Sequence, residues 1–123
     1  MIVLQGNSDA FSNGINLNQI EASSDKRAEA WANINAINDV INKILTTSNK
    51  VFLSAVEGSA GAGGVAQAIA ADHVIARSSS MLNMHYKGMG LYGSEYWTYS
   101  LEKRVGKHYA QQVTELCEPL TSA

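Results

Sequence analysis

The 123-residue chain contains one cysteine and one proline. The lone Cys117 excludes an internal disulfide and fits a reducing compartment. Pro119 only stops the last helix. Basic residues number nine against eleven acidic ones, for a net charge of −2, and form no cluster. A nucleic acid is therefore not an expected partner. No apolar run approaches the length of a membrane span, and the N-terminus lacks the charged-then-apolar layout of a signal peptide. No spacing of His, Cys and carboxylates suggests a metal. These absences predict a single soluble domain, cytoplasmic, with no membrane or nucleic-acid partner.

The chain is organised around residues 51–72. Val51 to Val56 is short, apolar and β-branched, and predicts a buried strand. Val65 to Ala71 is rich in alanine and predicts a tightly packed helix. Between them lie Gly58, Gly61, Gly63 and Gly64 with Ser59, Ala60 and Ala62, so little side chain keeps a ligand from the backbone. The unpaired N–H groups at the helix start would favour a phosphate or a developing oxyanion. The plain structural alternative is a turn that lets helix and sheet pack closely.

Met1 to Gly6 predicts a strand that begins without a lead-in, which implies a segment of something longer. Asn7 to Gly14 is rich in turn residues, and Asn18 to Ala22 predicts a short helical turn. Ser23, Ser24 and Asp25 are candidate N-caps for the longest helix, whose apolar stripe is Trp31, Ile34, Ile37, Ile41 and Ile44. Asn33, Asn35, Asn38 and Asn42 fall mostly off that stripe and predict a solvated face. Further along come strands at His73–Arg77 and Met81–Met84, then an irregular loop from His85 to Gly93. Ser94 is positioned to cap a helix running from Glu95 to Lys103, and a last helix runs from Lys107 to Cys117. His73 and His108 are expected to be structural or on the surface, and Cys117 to be a buried helical residue. The order of elements is α/β.

Gly61-Ala62-Gly63-Gly64-Val65-Ala66 satisfies the G-x-G-x-x-A dinucleotide fingerprint. Its context argues against that use. Four residues separate Val56 from Gly61 where a tight turn is needed, and no acidic residue ends the next strand.

Phe11-Ser12-Asn13-Gly14-Ile15-Asn16-Leu17 and Val56-Glu57-Gly58-Ser59-Ala60-Gly61-Ala62-Gly63-Gly64 with Asp72 resemble the two signature segments of the crotonase (enoyl-CoA hydratase/isomerase) superfamily. Arg104-Val105-Gly106-Lys107 resembles its later helix–helix junction. The resemblance implies a partial crotonase-like (ββα) spiral fold over 1–123, with opening strands and C-terminal oligomerising helices lying outside it. It also implies a CoA thioester as ligand and a possible homo-oligomer. The backbone N–H groups of Ile15 and Gly63 would form the oxyanion hole. Asn16 stands where the family usually has Asp.

The family's hydratases carry two glutamates for water and proton handling. The first falls on Ala66, which can do no acid–base work, and the second on Tyr86, with an uncertainty of one residue that keeps His85 a candidate. His85-Tyr86-Lys87-Gly88-Met89-Gly90, the segment from Leu91 to Tyr99, and Asn33-Ile34-Asn35-Ala36-Ile37 resemble the crotonase-like half of the HypX/HoxX hydrogenase-maturation family. That resemblance implies conversion of formyl-CoA to CO for a nickel–iron centre, with a formyltransferase-like domain in the parent chain. Tyr86 and Glu95 would be the proton-handling pair, and Tyr92, Tyr96 and Trp97 a wall against water. The bland alternatives are a buried phenol at Tyr86, a helix-terminal charge at Glu95, and core packing for Trp97. Two other readings are an ordinary hydratase or isomerase and a non-catalytic acyl-CoA-binding or assembly module.

Overall fold

The computed structural model describes residues 1–121. Its elements are β1 (Ile2–Gln5), β2 (Ala10–Ser12), α1 (Leu17–Ala22), α2 (Lys26–Thr46), β3 (Phe52–Val56), β4 (Ser59–Gly61), α3 (Gly63–Ala70), β5 (His73–Ala76) and β6 (Met81–Asn83). A 3₁₀ turn (Lys87–Met89), α4 (Trp97–Val105), α5 (Lys107–Leu116) and β7 (Leu120–Thr121) follow. The strands form two sheets, ordered β1-β3-β5 and β2-β4-β6-β7. All pairings are parallel except β6 with β7.

Each pass of the chain lays one strand in the first sheet and the next in the second. Thus β1 is followed by β2, β3 by β4, and β5 by β6, with α1 and α2 or α3 leading to the next pass. This is the ββα spiral that the sequence implies. Gly6 and Gly58 lie at two of the crossings between sheets. Each is pressed on the backbone of residues 9–11, where a Cβ would not fit. Ile2, Leu4 and Phe52 of the first sheet, with Ala70 and Ala71 at the end of α3, pack with Ile37, Ile41 and Ile44 of α2. The second encloses Ala60, Val65, Met84, Tyr86, Leu101 and Ala110. Helix α3, rich in glycine and alanine, contributes Val65 to one cluster and Ala70 to the other. Arg104 of α4 donates from Nε to Ile69 O at 2.6 Å and from Nη2 to Ala71 O, satisfying carbonyls at the end of α3.

Several expectations change. The glycine-lined stretch is not one turn, because Ser59–Gly61 pairs as β4 between β2 and β6. Trp31 leaves the apolar stripe and is 69% exposed. Only the C-terminal half of α2, from Ile37 on, reaches the sheet and its buried cluster. Of the three candidate caps, Asp25 takes the position and accepts from Ala28 N–H at 3.0 Å. Helix α5 ends at Leu116, and Cys117 is a half-buried residue at φ 54° whose Sγ accepts from Gly88 N–H at 3.3 Å. β7 was not expected from the sequence: two residues are too few to carry a periodicity. Among the described residues no helix is long and apolar enough to cross a membrane.

Candidate active site

Ala62 precedes α3 with φ 45° and ψ −120°, a conformation that L-residues rarely adopt. Its N–H donates to Asn83 O at 2.9 Å, which fixes the peptide across the β4–β6 edge. Its carbonyl accepts from Val65 N–H and Ala66 N–H. Gly63 N–H is left free at the helix start, with no acceptor among the described residues. Ile15 N–H is likewise without one. Gly14, at φ 83°, packs on Gly63 so closely that a Cβ on it would lie 3.1 Å from Gly63 N. The turn holding Ile15 and the start of α3 are therefore neighbours.

Glu95 arrives at the same place from the other direction. A Cβ built on Gly63 would lie 2.8 Å from Glu95 Oε1 and 3.2 Å from Ile37 Cδ1. The Glu95 side chain is buried, with 6% of the residue exposed. Its Oε2 accepts from Tyr86 O–H at 2.9 Å and from Ser94 N–H at 2.8 Å. Its own N–H donates to Asn38 Oδ1 at 2.7 Å. Tyr86 is raised well above the ordinary phenol range, first by burial and then by the charge of Glu95 and the hydrogen bond to it. The phenol is thus a neutral donor at any physiological pH.

Strain is concentrated here. Glu95 and Tyr96 stand at φ 55° and 53° in succession. Left-handed backbone costs about 1–2 kcal/mol per L-residue, so packing and hydrogen bonds must hold both in place. Gly93, at φ 80°, lies flat on the Tyr86 ring, and a Cβ there would come within 2.7 Å of Cδ2 and Cε2. Gly93→Ala is expected to push the Tyr86 ring off Glu95. The Tyr86 O–H resonance, protected from exchange in the parent, should then exchange at the rate of a solvent-exposed phenol. An unchanged protected resonance would contradict this packing.

The structure redistributes other candidates. Ser94 does not cap a helix: α4 starts at Trp97 after Tyr96, with no side-chain cap. It acts through its backbone N–H instead, and Glu95 lies before the helix rather than inside it. The left-handed pair 95–96 breaks the helix that the composition predicts. His85 turns to β4, with Nδ1 3.2 Å from Asn83 O and Cε1 near Gly61, so it is not part of the Tyr86–Glu95 pair. Tyr92 packs at a tilt against Trp97, with 5.5 Å between ring centroids, and Trp97 Nε1 donates to Tyr92 O at 3.0 Å. Tyr92 and Tyr96 are nonetheless 75% and 45% exposed, so these aromatics do not form a dry wall. Asn38, assigned to a solvated face by its spacing, instead reaches Glu95. Its signal was available only in three dimensions, because 57 residues separate the two.

Two clefts meet at this loop. One of about 480 Å³ is lined by Met84, Tyr86, Leu91, Trp97 and residues of α5, and the other, of about 230 Å³, by Asn38, Gly93 and Glu95. Tyr92 and Trp97 border both. The larger cleft touches neither Gly63 nor Glu95, so size alone does not mark the chemistry. Among the described residues no three His, Cys, Asp or Glu side chains converge in a metal-binding group.

The sequence model of the enoyl-CoA hydratase/isomerase family matches residues 1–123. The chain belongs to that family. It is 46% identical to the hydrogenase maturation factor HoxX of Bradyrhizobium diazoefficiens, over 98% of this chain and 21% of HoxX. The crystal structure of HypX from Aquifex aeolicus in complex with tetrahydrofolic acid superposes with a TM-score of 0.93 at 51% identity, over 98% of this chain and 22% of that one. An enoyl-CoA hydratase from Polaromonas sp. JS666 superposes with a TM-score of 0.83 at 28% identity, over 98% of this chain and 47% of that one. The chain is thus a crotonase-fold homologue of the hydrogenase maturation factors, and spans about a fifth of their length.

Proposed function

We propose that this crotonase-fold chain binds formyl-CoA and decomposes it to CO and CoA, supplying CO for the assembly of a nickel–iron hydrogenase centre. The observation that carries this reading is the buried Tyr86–Glu95 pair, hydrogen-bonded at 2.9 Å and set against Gly63, in a site whose other hydratase position is Ala66. Such a site keeps a carbonyl-polarising end and one carboxylate, and has no second carboxylate to activate water.

The thioester oxygen would accept from Ile15 N–H and Gly63 N–H. Removing one fixed donor of this kind costs about 3–4 kcal/mol when charge develops on the oxygen. Glu95 Oε1, beside Gly63, would take the formyl proton as the C–H bond breaks. Its Oε2 remains held by Tyr86 and Ser94, which spreads the carboxylate's charge and fixes its direction. Cleavage of the C–S bond then releases CO, and the thiolate leaves with the electron pair of that bond. The proton taken from carbon returns to sulfur through Glu95 and Tyr86, so HC(O)–S–CoA gives CO and HS–CoA with no oxidant, reductant or water consumed.

The whole length of the natural protein, given formyl-CoA in the presence of a haem trap, is expected to produce the CO-haem spectrum, and to leave crotonyl-CoA unhydrated. Hydration of crotonyl-CoA without CO would make the protein an ordinary member of the hydratase family. Binding of CoA thioesters with neither reaction would make it an acyl-CoA-binding module.

A further inference from the structure

Helix α2 contributes more than scaffold. Two consecutive residues on it touch the two halves of the site: Ile37 packs on Gly63, and Asn38 Oδ1 receives the backbone N–H of Glu95 at 2.7 Å. The second contact joins residues 57 positions apart, and it falls on a backbone unit in the left-handed region. Glu95 has no regular structure to hold it there. α4 begins two residues later, and the loop before it contains Gly90 and Gly93, both at positive φ.

Tyr86 is buried in one cluster with Val65 of α3, and Arg104 ties the later turns of α4 to α3, but the other bonds of the segment itself are local. Ser94 N–H binds the neighbouring Glu95 carboxylate, and Trp97 N–H binds Ser94 O, so both are local. The Tyr86–Glu95 bond links the segment to its own loop, nine residues away. Asn38 supplies a bond from a separate element, the long helix α2. Its amide oxygen fits that task, because it accepts from the N–H without adding charge beside a carboxylate.

We infer that Asn38 is a positioning residue: it anchors the strained Glu95 backbone to α2, and thereby sets the carboxylate against Gly63 and Tyr86. This rests on the reading of Tyr86 and Glu95 given above, so its test must report on geometry as well as turnover. Asn38→Leu keeps the side-chain shape and removes the acceptor, whereas Asn38→Gln keeps a neutral acceptor oxygen on a stem one methylene longer. Both would be made in the full-length protein with tyrosine labelled at ¹³Cζ, the Tyr86 resonance being assigned by its loss in Tyr86→Phe.

In Asn38→Leu the Tyr86 resonance is expected to move to the value of a tyrosine hydrogen-bonded to water, with a melting curve that still shows a folded domain. In Asn38→Gln it should stay nearer the parent position. CO formation in Asn38→Leu should fall about tenfold or more in kcat with KM within about twofold, as expected for a misplaced group rather than lost binding. An unmoved Tyr86 resonance in Asn38→Leu would overturn the inference. So would an equal displacement in both variants, which would assign Asn38 to packing alone. Should the parent protein form no CO, the resonances still decide the positioning role, while the decarbonylation reading fails separately.

Discussion

Glu95→Gln is expected to lower CO formation from formyl-CoA by about a hundredfold or more, while binding of CoA thioesters changes by less than about threefold. The magnitude follows from the loss of a proton acceptor placed at the reacting carbon, for which general acid–base catalysis contributes about 10²- to 10⁴-fold. The amide can keep one hydrogen bond to Tyr86 O–H or Ser94 N–H through its oxygen, so the site should remain assembled. Affinity should hold because the proposed thioester contacts, Ile15 N–H and Gly63 N–H, are backbone groups that this substitution leaves in place. Single-turnover kinetics with calorimetric binding would separate the two effects. Equal losses in binding and turnover would instead describe Glu95 as a structural residue, the bland alternative for a buried carboxylate.

Gly64→Ala is expected to be the most damaging conservative change to the fold. A Cβ there would fall on the carbonyl oxygen of Ser12, well inside van der Waals contact, with Ser12 Cβ at 2.9 Å. Neither neighbour can yield cheaply. Ser12 ends β2, in register with Ala60 of β4, and Gly64 is buried in the first turn of α3. The two elements would have to separate, at a cost of about 3 kcal/mol or more for forced overpacking. For a domain of this size that lowers the melting temperature by about 10 °C. The same movement would draw Gly63 away from Ile15, so residual folded protein should also have lost catalysis. A melting temperature within about 2 °C of the parent would contradict the close approach of β2 and α3.

These two residues also show what could be read from the chain. Gly64 belongs to a dense local pattern of glycines before an alanine-rich helix, and close packing is the direct physical consequence of that pattern. The long helix, its Asp25 cap and the strands at 2–5, 52–56 and 73–76 were legible for the same reason: their signals repeat over several residues. Of the second sheet only β6 was, as the strand expected at Met81–Met84; β2 and β4 have three residues each and β7 two, too short for alternation to register. Tyr86 and Glu95 were expected as a pair from the family resemblance, but the geometry of their contact was not legible. It depends on two successive left-handed residues that no local preference predicts, and on Asn38, whose spacing placed it on the solvent side of its helix. The chemistry implied by the resemblance also called for a protective aromatic wall. Tyr92 and Tyr96 are exposed because the loop that carries them turns outward before α4.

The central claim concerns the fate of one carbon atom. H¹³C(O)–CoA incubated with the full-length protein should transfer its label to haem-bound ¹³CO, identified by its infrared stretch, with stoichiometric free CoA and little labelled formate. Tyr86→Phe should release neither at an appreciable rate. Labelled formate as the main product from the parent protein would contradict the account, because it would make the site a thioester hydrolase that admits water beside Glu95.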